Sequence, residues 1–194
     1  MDFDVRCSCG TVKLHAEGVS PGLSNHVVCY CSTCQAFAHY LGRGAELLDD
    51  NGGSDIFQMS SGRLRIGGGA EALTCVRITE DGPLRWYADC CKSPIGNTHA
   101  NWKHPFIGLL TSAMDVTDAE RKNITGPIRF AAFKDHATGR THLAEGTHSL
   151  RATIARFYKI LLIARLKGDH KRSPFFDASH NPIAVPKSDE RADD

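Results

Sequence analysis

The stretch CYCSTC, which runs from Cys29 to Cys34, decides how this 194-residue chain is interpreted. It is a C-x-C-x-x-C run, and it lies between an upstream CSCG at residues 7–10 and a downstream pair, Cys90 and Cys91. Seven of the eight cysteines therefore fall into three tight groups. Clustered thiolates select zinc among the available metal ions, so the sequence predicts a zinc protein.

The charge balance points to no polyanionic partner. Lys and Arg total 23 against 22 for Asp and Glu, which leaves a net charge near zero and predicts no general attraction to nucleic acid. The first residues carry Asp2 and Asp4 where a secretory signal would carry basic residues and an apolar stretch. We therefore expect a cytoplasmic protein, whose reducing surroundings favour metal binding over disulfides.

The C-x-C-x-x-C run supplies three ligands and no fourth one nearby in sequence. Cys29 and Cys31 share one face of an extended segment, and a turn could bring Cys34 to the same point. Three ligands with an open position are typical of catalytic zinc, which makes these three cysteines our candidate catalytic residues. Alternatively, a distant histidine closes the site and makes it inert; the candidates are His26, His99 and His104.

A second metal site has to be assembled across the chain. Cys7 and Cys9 can offer two sulfurs, and Cys90 and Cys91 follow about eighty residues later. Zinc joining these segments would be structural, because it would fasten distant parts of the body together. Neighbouring residues of a strand face opposite ways, so both Cys90 and Cys91 can bind one ion only if the chain turns there. Otherwise Cys90 is a free buried thiol, and Cys75 is read as a small core residue.

Alternating apolar and polar residues predict short strands, rather than helices, up to about residue 115. Leu64 and Ile66 alternate with arginines, and Val76 and Ile78 show the same pattern. Glycine-rich turns such as Gly67–Gly69 separate these runs. The sequence therefore predicts a mainly β domain over residues 1–115 and a C-terminal extension over residues 116–194.

The extension contains one predicted helix, over about residues 150–167. Ser149 is a good N-cap residue, Gly168 is a good residue to follow the last turn, and the apolar positions between them recur at helical spacing. The helix is amphipathic and basic, so it docks on the body, serves as a surface for homo-oligomer formation, or lies on a membrane. Its apolar run from Ile160 to Ala164 is too short to span a bilayer. Prolines from Pro174 onward predict an extended strap, followed by a disordered acidic end.

Three motifs together resemble those of the glutathione-dependent formaldehyde-activating enzyme family, whose fold is shared with centromere protein V. They are the CSCG at residues 7–10, the CYCSTC run, and RWYADCCKSPI at residues 85–95. Aligning Ser93-Pro94 with the family's S-P places Ala88 at the first cysteine of the usual C-x-x-C and Cys91 at the second, and Cys90 offers a replacement ligand. Lys92 stands where the family usually has glycine.

The resemblance covers roughly residues 5–115 and implies small antiparallel sheets stapled by zinc, a β-tent-like fold. It implies Cys7, Cys9 and Cys91 at a structural ion, and Cys29, Cys31 and Cys34 at a catalytic one. The implied activity is that of a carbon–sulfur lyase acting on a small thiol adduct of an aldehyde, such as a glutathione conjugate.

Two functions remain as hypotheses. In the first, the chain is such a lyase; His99 or His104 would then serve as general acid or base, and Arg43 would bind a substrate carboxylate. In the second, the chain is a non-catalytic interaction module stapled by zinc. No nucleic-acid partner is expected, because the aromatic residues form no stacking platform along the strands.

Overall fold

The computed structural model describes residues 1–139 and 149–188 and has a mainly β architecture, as predicted. The strands of this part of the chain are β1 (Phe3–Arg6), β2 (Lys13–Ala16), β3 (Asn25–Cys29), β4 (Ser54–Met59), β5 (Leu64–Gly68), β6 (Leu73–Arg77), β7 (Leu84–Ala88), β8 (Ser93–Thr98), β9 (Ile107–Leu110), β10 (Phe130–Ala132) and β11 (Lys187–Ser188). The α-helices are α1 (Ser32–Tyr40), α2 (Gly44–Leu47), α3 (Asp118–Thr125) and α4 (Leu150–Leu166).

The strands form a small sheet and a large one. The small sheet has the order β1-β2-β5, and the large one has the order β10-β3-β4-β9-β8-β7-β6-β11. The small sheet is antiparallel, as predicted, but the large one has eight strands and is mixed. Its edge strands β10 and β11 pair in parallel with β3 and β6. Both arrive after long connections, which parallel pairing requires and which local alternation does not reveal.

One hydrophobic core joins the two sheets. Val5 and Leu14 of the small sheet pack with Phe57 and Trp86 of the large one, and all four side chains are buried. Phe175, from the segment after α4, is also fully buried, and its ring centroid lies 4.9 Å from that of Trp86. Burying one such ring contributes about 2–3 kcal/mol, so the C-terminal segment is held firmly on the body.

The C-terminal helix agrees with its prediction at both ends. The Ser149 hydroxyl accepts a hydrogen bond from the Ala152 N–H, which caps α4, and Gly168 follows the helix with φ 72°. The helix docks on the body through Thr153, Ile160 and Ala164. Within the described residues, no helix is long and apolar enough to cross a bilayer.

One prediction about the body is wrong. Residues 32–40 form the helix α1, where the sequence indicated only strands and turns. Cys31 occupies the N-cap position without a side-chain cap hydrogen bond, so the usual start signal is missing. The domain boundary at residue 115 stays a prediction; β10 and β11, from beyond it, pair with strands of the body. The acidic end predicted to be disordered falls on residues 189–194, outside the described residues.

Candidate metal centre

The cysteines converge into two groups, and in each group the sulfurs all lie within 4.8 Å of one another. The first cluster consists of Cys7, Cys9, Cys90 and Cys91, and the second cluster consists of Cys29, Cys31 and Cys34. Each could hold a metal ion. Cys75 belongs to neither cluster: it is buried in β6, and burial raises the pKa of its thiol to about 11.

The sulfur spacing of the first cluster fits a tetrahedral ion. The Sγ–Sγ distances are 3.4 Å for Cys7–Cys9, 4.0 Å for Cys7–Cys90, 3.3 Å for Cys9–Cys90 and 3.9 Å for Cys90–Cys91. Four thiolates about 2.3 Å from one zinc ion would lie about 3.8 Å apart. Both Cys90 and Cys91 face the centre, which answers the question that their adjacency raised. The four donors leave no open position at such an ion.

The turn that aims both neighbours at the centre is set by Lys92. Its φ is 54°, in the left-handed region that favours glycine, and its ammonium is paired with Asp89. This backbone reversal separates Cys91 from the start of β8 at Ser93. Adjacent side chains point to opposite faces in a strand, but Cys90 and Cys91 lie in a turn and can face the same point.

Hydroxyl groups surround Cys91 and favour its thiolate. The Ser93 Oγ lies 3.2 Å from the Cys91 Sγ and 2.9 Å from the Ser8 Oγ, and it accepts a hydrogen bond from the Ser8 N–H at 2.9 Å. Burial alone would raise the pKa of Cys91, but hydrogen bonds from Ser8, Ser93 and nearby backbone outweigh it and lower that pKa to about 5. Desolvation and hydrogen bonds to Cys9 and Cys91 raise the pKa of Cys90 to about 12.

The second cluster is built where a strand runs into a helix. Cys29 ends β3, Cys31 precedes α1, and Cys34 lies in the first turn of α1. The Cys29 and Cys31 sulfurs are 3.4 Å apart, and the Cys34 N–H donates to the Cys31 carbonyl at 3.0 Å. The turn that the sequence predicted between Cys31 and Cys34 is therefore the first turn of α1. Apolar side chains, including Ile56 and Leu110, pack around the cluster.

The three thiols of this cluster differ in exposure. Cys29 and Cys34 are buried, whereas Cys31 is half-buried and forms the accessible side. Hydrogen bonds from Cys29 and Cys34 lower the pKa of the Cys31 thiol, whereas hydrogen bonds to Cys31 and Cys34, together with burial, raise the pKa of Cys29. In the part of the chain that the structure describes, no histidine or carboxylate joins this group. The arrangement offers three donors and one free side.

Arg85 on β7 is a functional candidate that sequence reasoning missed. Its guanidinium is buried, donates to the Thr33 Oγ1 at 2.8 Å and the Asn97 Oδ1 at 3.2 Å, and lies 3.7 Å from the Cys34 Sγ. Its Nε has no hydrogen-bond partner. A buried cation beside neutral oxygens alone is costly, so it needs an anion. A divalent ion held by the three thiolates would carry one net negative charge and would supply that anion.

The candidate helpers His99, His104 and Arg43 are not members of the second cluster. His99 and His104 stack on each other with ring centroids 4.3 Å apart, and burial followed by repulsion from His104 lowers the pKa of His99. Arg43 donates to the Glu46 carboxylate at 2.6 and 2.8 Å and to the Ser93 Oγ at 2.7 Å, beside the first cluster. These contacts engage all three nitrogens of the Arg43 guanidinium.

His26, the remaining candidate for a fourth ligand, is held between two acceptors. Its Nδ1 lies 2.8 Å from the Gly126 carbonyl, and its Nε2 lies 2.6 Å from the Asp55 carboxylate. With its two ring nitrogens engaged, the side chain braces β3 against β4, since Asp55 belongs to β4.

Comparisons with known proteins give a family match and a distant structural likeness. A family model described as a family of unknown function matches residues 3–185. The crystal structure of a Rhodobacter sphaeroides protein aligns with 64% of this chain and 96% of its own chain, at 19% sequence identity and a TM-score of 0.43. A search of curated proteins gave no match. The site residues must therefore be interpreted from their own geometry.

Proposed function

This chain belongs to the DUF6151 family, and we propose that it is a zinc protein in which the first cluster is structural and the second is the centre of a carbon–sulfur lyase. The observation that carries the proposal is the contrast in donor number. Four cysteines form the first cluster and three form the second, where the half-buried Cys31 lies on the accessible side. Closed four-donor sites are structural, and three-donor sites leave room for a reactant.

The proposed reaction joins or separates a thiol and an aldehyde. The thiol sulfur bonds to the carbonyl carbon, and the thiol proton passes to the carbonyl oxygen, giving a hydroxyl; the reverse step releases both reactants. A bound zinc ion supplies a lowered thiol pKa and a polarised carbonyl oxygen. The resemblance of the cysteine motifs supports glutathione, or a similar small thiol, as the thiol partner.

The chain's own residues prepare the second cluster for this role. The Thr33 Oγ1 lies 3.4 Å from the Cys31 Sγ and accepts a hydrogen bond from Arg85, which also approaches Cys34. Thr33 and Arg85 thus fix the cysteines on α1 relative to β7. The apolar side chains around the cluster limit the access of water, which strengthens the electrostatic effect of Arg85 on any thiolate there.

The test compares the wild-type protein with Cys31→Ser. We expect two zinc ions per chain in the wild type and one in the variant, together with loss of turnover of formaldehyde and glutathione. Ser32→Ala, a change at the exposed neighbouring residue, is the matched control and should retain both ions and the activity. Unchanged turnover in Cys31→Ser would overturn the lyase proposal, whatever the metal content.

A non-catalytic, zinc-stapled interaction module is the second candidate. The observation that favours it is the position of the histidines: His99 and His104 stack on each other, and His26 is held by Asp55 and Gly126. None of the three is a member of the second cluster. Full zinc content without turnover of any thiol–aldehyde pair would favour this function.

A further inference from the structure

The helix α4 uses only part of its surface to dock on the body. Thr153, Ile160 and Ala164 are its buried residues. Arg156 reinforces the contact by donating to the Ser24 carbonyl at 2.8 Å, and Phe157 packs edge-on against Phe106 with ring centroids 5.2 Å apart. The inner face of α4 is therefore covered by contacts with the body of the protein.

The opposite side of α4 is apolar and exposed. Leu150, Ile154, Tyr158, Leu162 and Leu166 follow one another at steps of four residues, and each is 44 to 79 per cent exposed. We call these five residues the outer stripe. It extends about 24 Å along the helix, at 1.5 Å per residue. A continuous apolar stripe of this length is a mark of an interaction surface rather than of an ordinary solvent face.

The charges beside the outer stripe all have one sign. Arg151, Lys159, Arg165 and Lys167 are exposed, and no Asp or Glu occurs from Ser149 to Gly168. Arg165 also donates to the Lys103 carbonyl at 2.7 Å, which brings a further lysine to the C-terminal end of the helix. The helix therefore combines an exposed apolar stripe with charged residues of a single sign.

We propose that the outer stripe of α4 docks on an anionic lipid surface, with the helix axis parallel to the membrane plane. The apolar side chains enter the boundary between headgroups and acyl chains, and the flanking lysines and arginines remain at the phosphate level. This pattern distinguishes a bilayer from nucleic acid, since a phosphate backbone offers nothing to Ile154 or Leu162. The proposal is independent of chemistry at the second cluster.

A second copy of the chain fits the outer stripe less well. Antiparallel pairing about Tyr158 would match Leu150 with Leu166 of the copy, but it would also bring Arg151 against Arg165 of the copy at both ends of the pair. Parallel pairing would place each cation beside itself. The described helix has no carboxylate to offset this repulsion, whereas anionic lipids supply the missing charge.

The experiment measures binding of the full, zinc-loaded chain to vesicles by co-sedimentation. One set contains equal amounts of phosphatidylcholine and phosphatidylserine, and the other contains phosphatidylcholine alone. We expect binding to the first set to exceed binding to the second at least tenfold and to fall as salt is added. Equal binding to both sets, or none, would overturn the proposal.

Two variants and their controls separate the components of binding. Leu162→Gln and Lys159→Gln should each weaken binding about fivefold or more, because one loses an inserted side chain and the other a cation. Val185→Gln and Lys13→Gln remove an exposed apolar residue and an exposed cation away from α4, and should bind as wild type does. If Lys159→Gln weakened vesicle binding and Leu162→Gln did not, insertion of the outer stripe would be overturned. A wild-type dimer that Leu162→Gln dissociates would also overturn it.

Discussion

The first and second clusters differ in burial, and the number of cysteines in each does not predict which one is more exposed. The four-cysteine cluster is the more exposed one, with Cys9 and Cys90 open to solvent, whereas two of the three cysteines in the other cluster are buried. A closed set of four thiolates leaves no position for a reactant, so solvent contact matters little. A three-thiolate set has a free position, and burial restricts what can reach it. Under the proposed assignment, the more buried cluster would be the reactive one.

The two clusters also differ in how far along the chain their donors lie. The Cys7 and Cys90 sulfurs are 4.0 Å apart although the residues are separated by 83 positions. Among the residues that the structure describes, only residues 29–34 contribute to the second cluster. An ion in the first cluster therefore ties the small sheet to β7 and β8, and an ion in the second stabilises only the junction of β3 with α1.

The largest expected effect is on stability and comes from the first cluster. Cys9→Ser should release one zinc ion per chain and lower the free energy of unfolding by about 3 kcal/mol or more, because a long-range tie is lost. Metal analysis and thermal unfolding measure both effects. Cys75→Ser is the control: a hydroxyl in the core costs stability but leaves both ions bound. A destabilised Cys9→Ser that keeps two zinc ions would contradict the structural role.

A smaller effect is expected from the charge partner of the second cluster. Arg85→Met should weaken metal binding there about tenfold to a hundredfold, because the thiolates lose their nearest cation, while the first cluster keeps its ion. Arg85→Lys should restore part of the affinity. Competition with a chelator measures the affinity, and Arg77→Met on the neighbouring strand should have no effect. Equal affinity in Arg85→Met and the wild type would mean that the guanidinium serves packing alone.

The smallest expected effect is a pH dependence of stability that comes from the hydrogen bonds of His26 to Asp55 and Gly126. Burial lowers the pKa of His26, but the hydrogen bond and charge of Asp55 and the Gly126 carbonyl outweigh it and raise that pKa. Neutral imidazole has one N–H for these two acceptors, and imidazolium has two. The stabilisation is therefore complete below the ordinary pKa of about 6.5 and is lost as pH rises through the raised value.

The variant Asp55→Asn exposes this dependence. Its deficit in unfolding free energy should be about 1 kcal/mol near pH 6 and should shrink toward alkaline pH. Urea unfolding at several pH values gives the measurement. Asp118→Asn, which removes the carboxylate of an exposed pair with Arg121, should show no such trend. A deficit that grows with pH would show that the sign of the shift is wrong.

Local signals were enough to predict some of these features. Ser149 and Gly168 predicted α4 because capping and the left-handed turn depend on residues within one helical turn. The spacing of Cys29, Cys31 and Cys34 predicted one shared point for the same reason. The helix α1 escaped prediction because its N-cap, Cys31, makes no side-chain cap hydrogen bond.

Other features could not be predicted from sequence patterns. The convergence of Cys90 with Cys91 depends on a left-handed backbone at Lys92. A lysine does not indicate such a conformation in a sequence, because glycine is the residue typical of it. In the sequence, Arg85 looks like any other residue of an alternating strand. Its contacts with Thr33 and Cys34 become visible only in the structure. The parallel edges formed by β10 and β11 are long-range in the same sense.

The separation of 83 residues within the first cluster also has a consequence for the order of assembly during synthesis. The three cysteines of the second cluster leave the ribosome together, so a metal can be captured there before most of the large sheet exists. Cys90 and Cys91 emerge much later, and their meeting with Cys7 and Cys9 requires a long loop to close. Two ions would thus bind at different stages, and the ion in the first cluster would bind only after the body had folded.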